Sequence, residues 1–178
     1  MPIREGKCME ILQSELGDLE AILSLYDEAT ALQQSKGTVQ WPKISSELVE
    51  AEIREGRQWK LLIDGELACV WVVAYDDELI WGPTEPSLFL HRIANHPMQR
   101  GNALVGVVVE WAKTQCVENN LRFIRLDTVG YNPGLIRLYT SHGFTSLEPV
   151  TIADPSNLPA HYAEDAAYLF EIDLLATD

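Results

Sequence analysis

The residues best placed to do chemistry run from Leu90 to Val105, Leu-His-Arg-Ile-Ala-Asn-His-Pro-Met-Gln-Arg-Gly-Asn-Ala-Leu-Val. The run reads as a strand, a short loop and the start of a helix. The first turn of a helix presents unpaired backbone N–H groups and the positive end of the helix dipole, so a loop wrapped onto it suits a phosphate or pyrophosphate. Arg100 adds a fixed positive charge there. Many strand–loop–helix units bind nothing, so this pattern alone leaves a purely structural reading open. Metal and disulfide chemistry find less support. Cys8, Cys69 and Cys116 are far apart with no CxxC spacing, and His91, His96, His142 and His161 show no HExxH. Reduced core thiols, no metal and a cytoplasmic location are the expectation.

The elements that must hold this segment are legible from periodicity. A short strand is expected at about Cys8–Gln13. Asp18 then caps a helix whose Leu19, Ile22, Leu23 and Tyr26 recur at three and four. Gln33–Ile44, with Gly37 and Pro42, reads as a loop, and a second helix runs from Ser46 to Gly56. Gln58–Ile63 and Glu66–Tyr75 flank Asp64-Gly65, a hairpin signal, and the second of these strands is apolar enough to be buried on both faces. Ser87–Asn95 is a strand and Gly101–Asn119 a helix, with Leu104, Val108, Trp111 and Ala112 as its stripe. Leu121–Leu126 is a strand, and Asn132-Pro133 opens a helix that Gly143 closes. Strands near Phe144–Ile152 and Ala167–Leu174 complete an α/β (α+β) sandwich with a mixed sheet.

The chain has 178 residues and a formal charge of −14, which fits one domain over 1–178 and argues against a nucleic-acid binder. Ser87–Gly143 has six basic and three acidic residues, so this stretch is +3 and the remainder −17. A locally basic centre can receive an anionic cofactor while the rest attracts a cationic substrate; acidity can equally serve solubility alone. No apolar run is long enough for a membrane span, and Met1–Leu12 has no secretory pattern, so neither membrane nor leader is expected.

Leu121–Thr128, then Asn132-Pro133-Gly134 with Leu138-Tyr139, then Gly143-Phe144, taken with Arg100-Gly101, resemble the GNAT superfamily of acyl-CoA-dependent N-acyltransferases. The motifs cover about Leu88–Phe144, and the order of elements fits over almost the whole chain. The resemblance implies a twisted sheet of six or seven strands flanked by about four helices. Its fourth and fifth strands, here Ser87–Asn95 and Leu121–Asp127, splay apart around the pantetheine arm of acetyl-CoA. By the same resemblance, pantetheine meets backbone near Ile93 and Asn95, and pyrophosphate meets the N–H groups of Arg100, Gly101, Asn102, Ala103, Leu104 and Val105. Asn132 belongs to the same cofactor side. The chain departs from the family pattern at Ala103, where glycine is usual, at Val105, where glycine or alanine is usual, and at Asn95, where an apolar β-branched residue is usual. Glycine lets backbone approach a phosphate with no Cβ in the way.

In the family a tyrosine at the position of Tyr139 assists the leaving thiolate, and a phenol can do so by donating a proton or a hydrogen bond. Packing between helix and sheet is the alternative role. His91 resembles a strand histidine of one amine acetyltransferase of the family and is a candidate base, with Asp127, Glu85 and a water chain as competitors. The acceptor pocket implied by the family uses Tyr26, Gln33, Trp41, Trp81 and the Asp154–Glu164 loop, though both tryptophans also read as core. The implied function is direct transfer of an acetyl group from acetyl-CoA to a primary amine, on a small molecule or on a peptide or protein, by a monomer or homodimer. A catalytically silent acyl-CoA or small-ligand module is the alternative.

Overall fold

The computed structural model describes residues 6–99 and 103–176. Arg100, Gly101 and Asn102, expected to contact the pyrophosphate, lie outside the described residues.

Seven strands form one sheet in the order β1-β2-β3-β4-β5-β7-β6. They are β1 (Met9–Gln13), β2 (Gln58–Ile63), β3 (Glu66–Ala74), β4 (Ser87–Asn95), β5 (Phe123–Val129), β6 (Thr145–Ser146) and β7 (Ala167–Asp173). All neighbours are antiparallel except β4 and β5. The helices are α1 (Leu19–Ser35), α2 (Ser46–Arg54), the single turn α3 (Glu78–Trp81), α4 (Leu104–Glu118) and α5 (Pro133–Ser141). This is the mixed α/β architecture expected from the sequence, with seven strands among the described residues. Among the described residues no helix is long and apolar enough to cross a membrane.

Local chemistry fixes the turns. Asp64 and Gly65 both adopt positive φ, 51° and 80°, as a two-residue hairpin turn between right-twisted strands requires. Ser45 Oγ accepts from Leu48 N at the start of α2, and Asn132 Oδ1 accepts from Leu135 N at the start of α5, where Pro133 takes the first helical position. β3 is buried on both faces, as its apolar run implies. Cys69 and Trp71 face the core beneath α4 and α5, while Val70 faces the second core beneath α1 and α2.

Three expectations shift. The first helix runs on to Ser35, taking residues assigned to the following loop. Phe144–Ile152 holds the two-residue strand β6 and an isolated bridge from Val150 to Ala167; it follows β7 as an irregular edge, with Leu147 N bonded to Leu169 O, and is interrupted at Pro149, which has no N–H to give. The helix expected from Gly101 has its first helical residue at Leu104, with Ala103 as N-cap in a left-handed conformation, φ 55° and ψ 35°.

Candidate active site

The site starts from a failure of pairing. β4 and β5 pair only at Ser87–Phe123, Leu88–Ile124 and Phe89–Arg125, and then part. A bulge deepens the split. The β3–β4 register shifts between Val70 and Val72, and Arg92 on β4 has φ 46°, a conformation an L-residue adopts at a cost. The bulge is held from behind. The Arg92 guanidinium hydrogen-bonds the buried Glu52 carboxylate of α2 and stacks 5.3 Å from the Tyr26 ring centre of α1. Burial raises the Glu52 pKa, and the Arg92 charge opposes that rise.

The gap opens into a cavity of about 770 Å³. Its walls are Leu90–Asn95 of β4, Ala103–Val105 at the start of α4, Leu126–Val129 of β5, and Asn132, Leu135, Leu138 and Tyr139 of α5. The far wall is Ala29, Leu32, Val39, Trp41, Ile44 and Leu48, with Pro159, His161 and Tyr162 from the loop before β7. The structure thus brings Ile93, Asn95, Ala103, Leu104, Val105, Asn132, Tyr139, His91 and Trp41 to one cavity. Asn95 Oδ1 is buried with no hydrogen-bond partner among the described residues. Gln33 also lines it, and its Oε1 accepts from Trp41 N at 2.8 Å, which ties the α1–α2 loop to the cavity rim.

Other expected residues sit elsewhere. Tyr26 does not line the cavity; it is core, 2% exposed, donating through its hydroxyl to Gln58 Oε1 and standing edge-on behind Trp41. Trp81 lies away from the wall, stacked against Phe89 and under the Arg125 guanidinium at 4.9 Å. Glu85 is committed to Arg122 at the surface. Much of the basic centre is paired: Arg92 with Glu52, Lys113 with Glu110, Arg122 with Glu85 and Asp173, Arg125 with Glu171. Four of the six basic residues of Ser87–Gly143 are thus taken up by neighbours, Arg137 makes no ion pair among the described residues, and Arg100 lies outside them.

Tyr139 is 8% exposed, packed on Phe144 and Phe170, and its hydroxyl makes no hydrogen bond to the described residues. Burial, helped by Cys69 and Asp127, pushes its pKa to about 12, so it is a neutral donor at pH 7. His91 is pushed down to about 4 by burial and by the Arg92 and Arg57 charges, so its imidazole is neutral at pH 7. Asp127 accepts from the Tyr162 hydroxyl at 2.6 Å, yet burial raises its carboxyl to about 6. Sequence reasoning missed Asp77, and reached Tyr162 only as part of the Asp154–Glu164 loop, whose Pro159, His161 and Tyr162 do line the cavity. Asp77 occupies the N-cap position of α3, but its side chain makes no cap bond there. Burial and the Asp127 and Asp76 charges raise its pKa to about 7.

A parallel pair that parts midway, with a helix start and a tyrosine-bearing helix facing the gap, is the arrangement that the resemblance in sequence implies. The acetyltransferase (GNAT) family model matches residues 20–144, and the chain belongs to that family. Among solved structures, a GNAT-family acetyltransferase from Listeria monocytogenes is 20% identical with TM-score 0.75, covering 93% of this chain and 95% of that one. The ribosomal-protein-S18-alanine N-acetyltransferase of Escherichia coli is 16% identical with TM-score 0.67, covering 96% and 97%. The yncA protein of Salmonella typhimurium, solved with its cofactor acetyl-CoA, is 14% identical with TM-score 0.68, covering 96% of both chains. Among curated proteins none matches the sequence significantly.

Proposed function

We propose that the protein transfers an acetyl group from acetyl-CoA to a primary amine by direct attack within a ternary complex. The observation that carries this is the parting of β4 from β5 beyond Phe89 and Arg125, which leaves one edge of β4 without a strand partner from Leu90 onward. An extended amide-bearing arm fits such an edge, because unpaired backbone N–H and C=O groups seek partners. The orphaned Asn95 Oδ1 is a further acceptor for an arm amide N–H. Ile93 and Asn95 would hold the arm, and the backbone N–H groups of Ala103, Leu104 and Val105 would take the phosphates. Asn132 helps by capping the helix that carries Tyr139.

The donor supplies a thioester whose sulfur leaves as a thiolate. Tyr139, neutral and buried, stabilises that charge with its hydroxyl. A thiol pKa lies near 8.5, about 3.5 units below that of this phenol, so a hydrogen bond is favoured over outright proton transfer. His91, neutral at the cavity wall, accepts a hydrogen bond from the amine and helps orient its lone pair. The rest of the wall excludes water, which strengthens both interactions.

The reading is tested in two stages. Acetyl-CoA and free CoA should both raise the melting temperature, because both bind only the folded chain; no shift at millimolar ligand rejects the donor assignment. A thiol-release assay across a panel of primary amines should then reveal turnover, and binding with no thiol release from any amine would leave a silent acyl-CoA module.

A further inference from the structure

Three groups that lie far apart in the sequence meet beside the cavity. Asp77 precedes α3, His91 is on β4 and Asp127 is on β5, yet one ligand atom of each lies within 4.8 Å of the others. His91 Nε2 is 3.9 Å from Asp77 Oδ2, and that oxygen is buried with no hydrogen-bond partner among the described residues. The split of the sheet makes the meeting possible. β4 and β5 stop pairing at Phe89 and Arg125, and His91 and Asp127 are the residues two further along each strand. Two ionised carboxylates at this separation repel unless a proton or another positive charge lies between them. The nearby cations are engaged elsewhere, Arg92 with Glu52 and Arg57 with Glu55. His91 and Asp127 line the cavity, so positive charge can reach the cluster from there. The wall opposite is apolar, with Leu32, Val39, Trp41, Ile44 and Leu48.

We infer that Asp77, His91 and Asp127 form the acceptor end of the site and receive a primary ammonium ion carried on an apolar body. This deepens the acetyltransferase reading and rests on it. An ammonium placed between the carboxylates offers three N–H donors to groups that can only accept when ionised. One N–H bond of the docked ammonium breaks, its electron pair stays on nitrogen, and the proton goes to the carboxylate pair, directly or across His91. The freed amine attacks the acetyl carbonyl carbon; a C–N bond forms and the C–S bond breaks. The sulfur departs as a thiolate held by a hydrogen bond from the Tyr139 hydroxyl; a second N–H proton passes to water, from which the thiolate takes up one proton, and the third stays on the amide nitrogen. One ammonium and one thioester thus give one acetamide, one thiol and one proton, which the carboxyl pair returns to water. The protonation states agree with these roles. Burial and neighbouring acidic charges raise Asp77 to about 7, and burial raises Asp127 to about 6, while His91 stays neutral. Asp76, Arg57, Arg92, Tyr139 and Tyr162 are the other charged or titratable groups acting on the cluster.

The test reads binding, not turnover. n-Hexylamine and its neutral counterpart 1-hexanol are titrated calorimetrically into the full chain at pH 8, with saturating CoA and again without it. Hexylamine should bind at least about tenfold tighter than hexanol, as the loss of a charge-assisted hydrogen bond implies. Asp127→Asn and Asp77→Asn should each remove most of that preference while hexanol binding and the CoA-induced melting shift stay unchanged. Equal affinity for amine and alcohol in the wild-type chain overturns the inference without any variant. So does full retention of the preference in both variants, or no hexylamine binding at millimolar concentration. A wild-type CoA shift that persists through such a failure leaves the donor reading standing; its absence rejects the donor reading, and the titration without CoA still decides the acceptor site.

Discussion

Tyr139→Phe removes one hydroxyl from a ring packed between Phe144 and Phe170. The hydroxyl has no partner among the described residues, so the folded state gives up no internal hydrogen bond and stability should change by less than about 0.5 kcal/mol. Turnover should change far more. The phenol, held near 12, contributes a hydrogen bond to a developing thiolate. A hydrogen bond to a charged group contributes about 1.5–3 kcal/mol, a factor of about 10–150 in rate. Thiol release at saturating amine and acetyl-CoA should therefore fall about 10- to 150-fold, with CoA affinity from the thermal shift unchanged. Wild-type turnover in a folded Phe variant would refute the assignment and leave Tyr139 as core. A loss confined to CoA affinity would place its role in binding.

Other outcomes concern the backbone and the buried acids. Ala103→Gly should stabilise by about 0.5 kcal/mol, because relief of a left-handed residue, about 1–2 kcal/mol, exceeds the entropy of an added glycine, about 0.4–1; chemical denaturation checks it, and tighter CoA binding should accompany it. Gly130→Ala should cost at least about 1 kcal/mol and weaken acceptor binding, since Gly130 has φ 86° and its new Cβ would meet Val39 Cγ2 at 2.8 Å. Asp77→Asn should stabilise the chain more at pH 8.5 than at pH 5.5. A carboxyl raised from 3.8 to about 7 makes its stability contribution at low pH and loses it as pH rises toward 7. The gap between the two pH values should approach about 2 kcal/mol at most; a pH-independent effect would mean that Asp77 titrates normally.

What the sequence reveals and what it conceals divide along range. Elements set by local chemistry are legible: the Asp64-Gly65 turn, the Asn132-Pro133 helix start, and the doubly buried β3. The limits of β4 are read from one apolar run and match. The short β6 is overread in length only: the stretch pairs with β7 at Thr145, Ser146, Leu147 and Val150, but Pro149 breaks the ladder. Charge counting does not reveal the pairing of Arg92, Arg122 and Arg125, since their partners Glu52, Asp173 and Glu171 come from distant elements. Asp77 is invisible for the same reason. Nothing within its own neighbourhood distinguishes an ordinary N-cap from a carboxylate turned toward His91. Tyr26 and Trp81 are assigned to a wall by the order of elements alone, and only packing shows that one backs Trp41 and the other lies under Arg125. From sequence Ala103 is only a departure from a usual glycine at a phosphate site, and its φ of 55° adds a conformational reason for glycine there.

The central claim is that the gap between β4 and β5 receives the CoA arm. Amide hydrogen exchange with and without saturating CoA tests it most directly. Protection should rise at Ile93–Asn95 and at Ala103–Val105, where the β4 edge and the first turn of α4 gain partners, and stay unchanged along β6 and β7. Bound CoA that leaves both segments exchanging as in the free protein, or that protects a different face of the sheet, would contradict the claim.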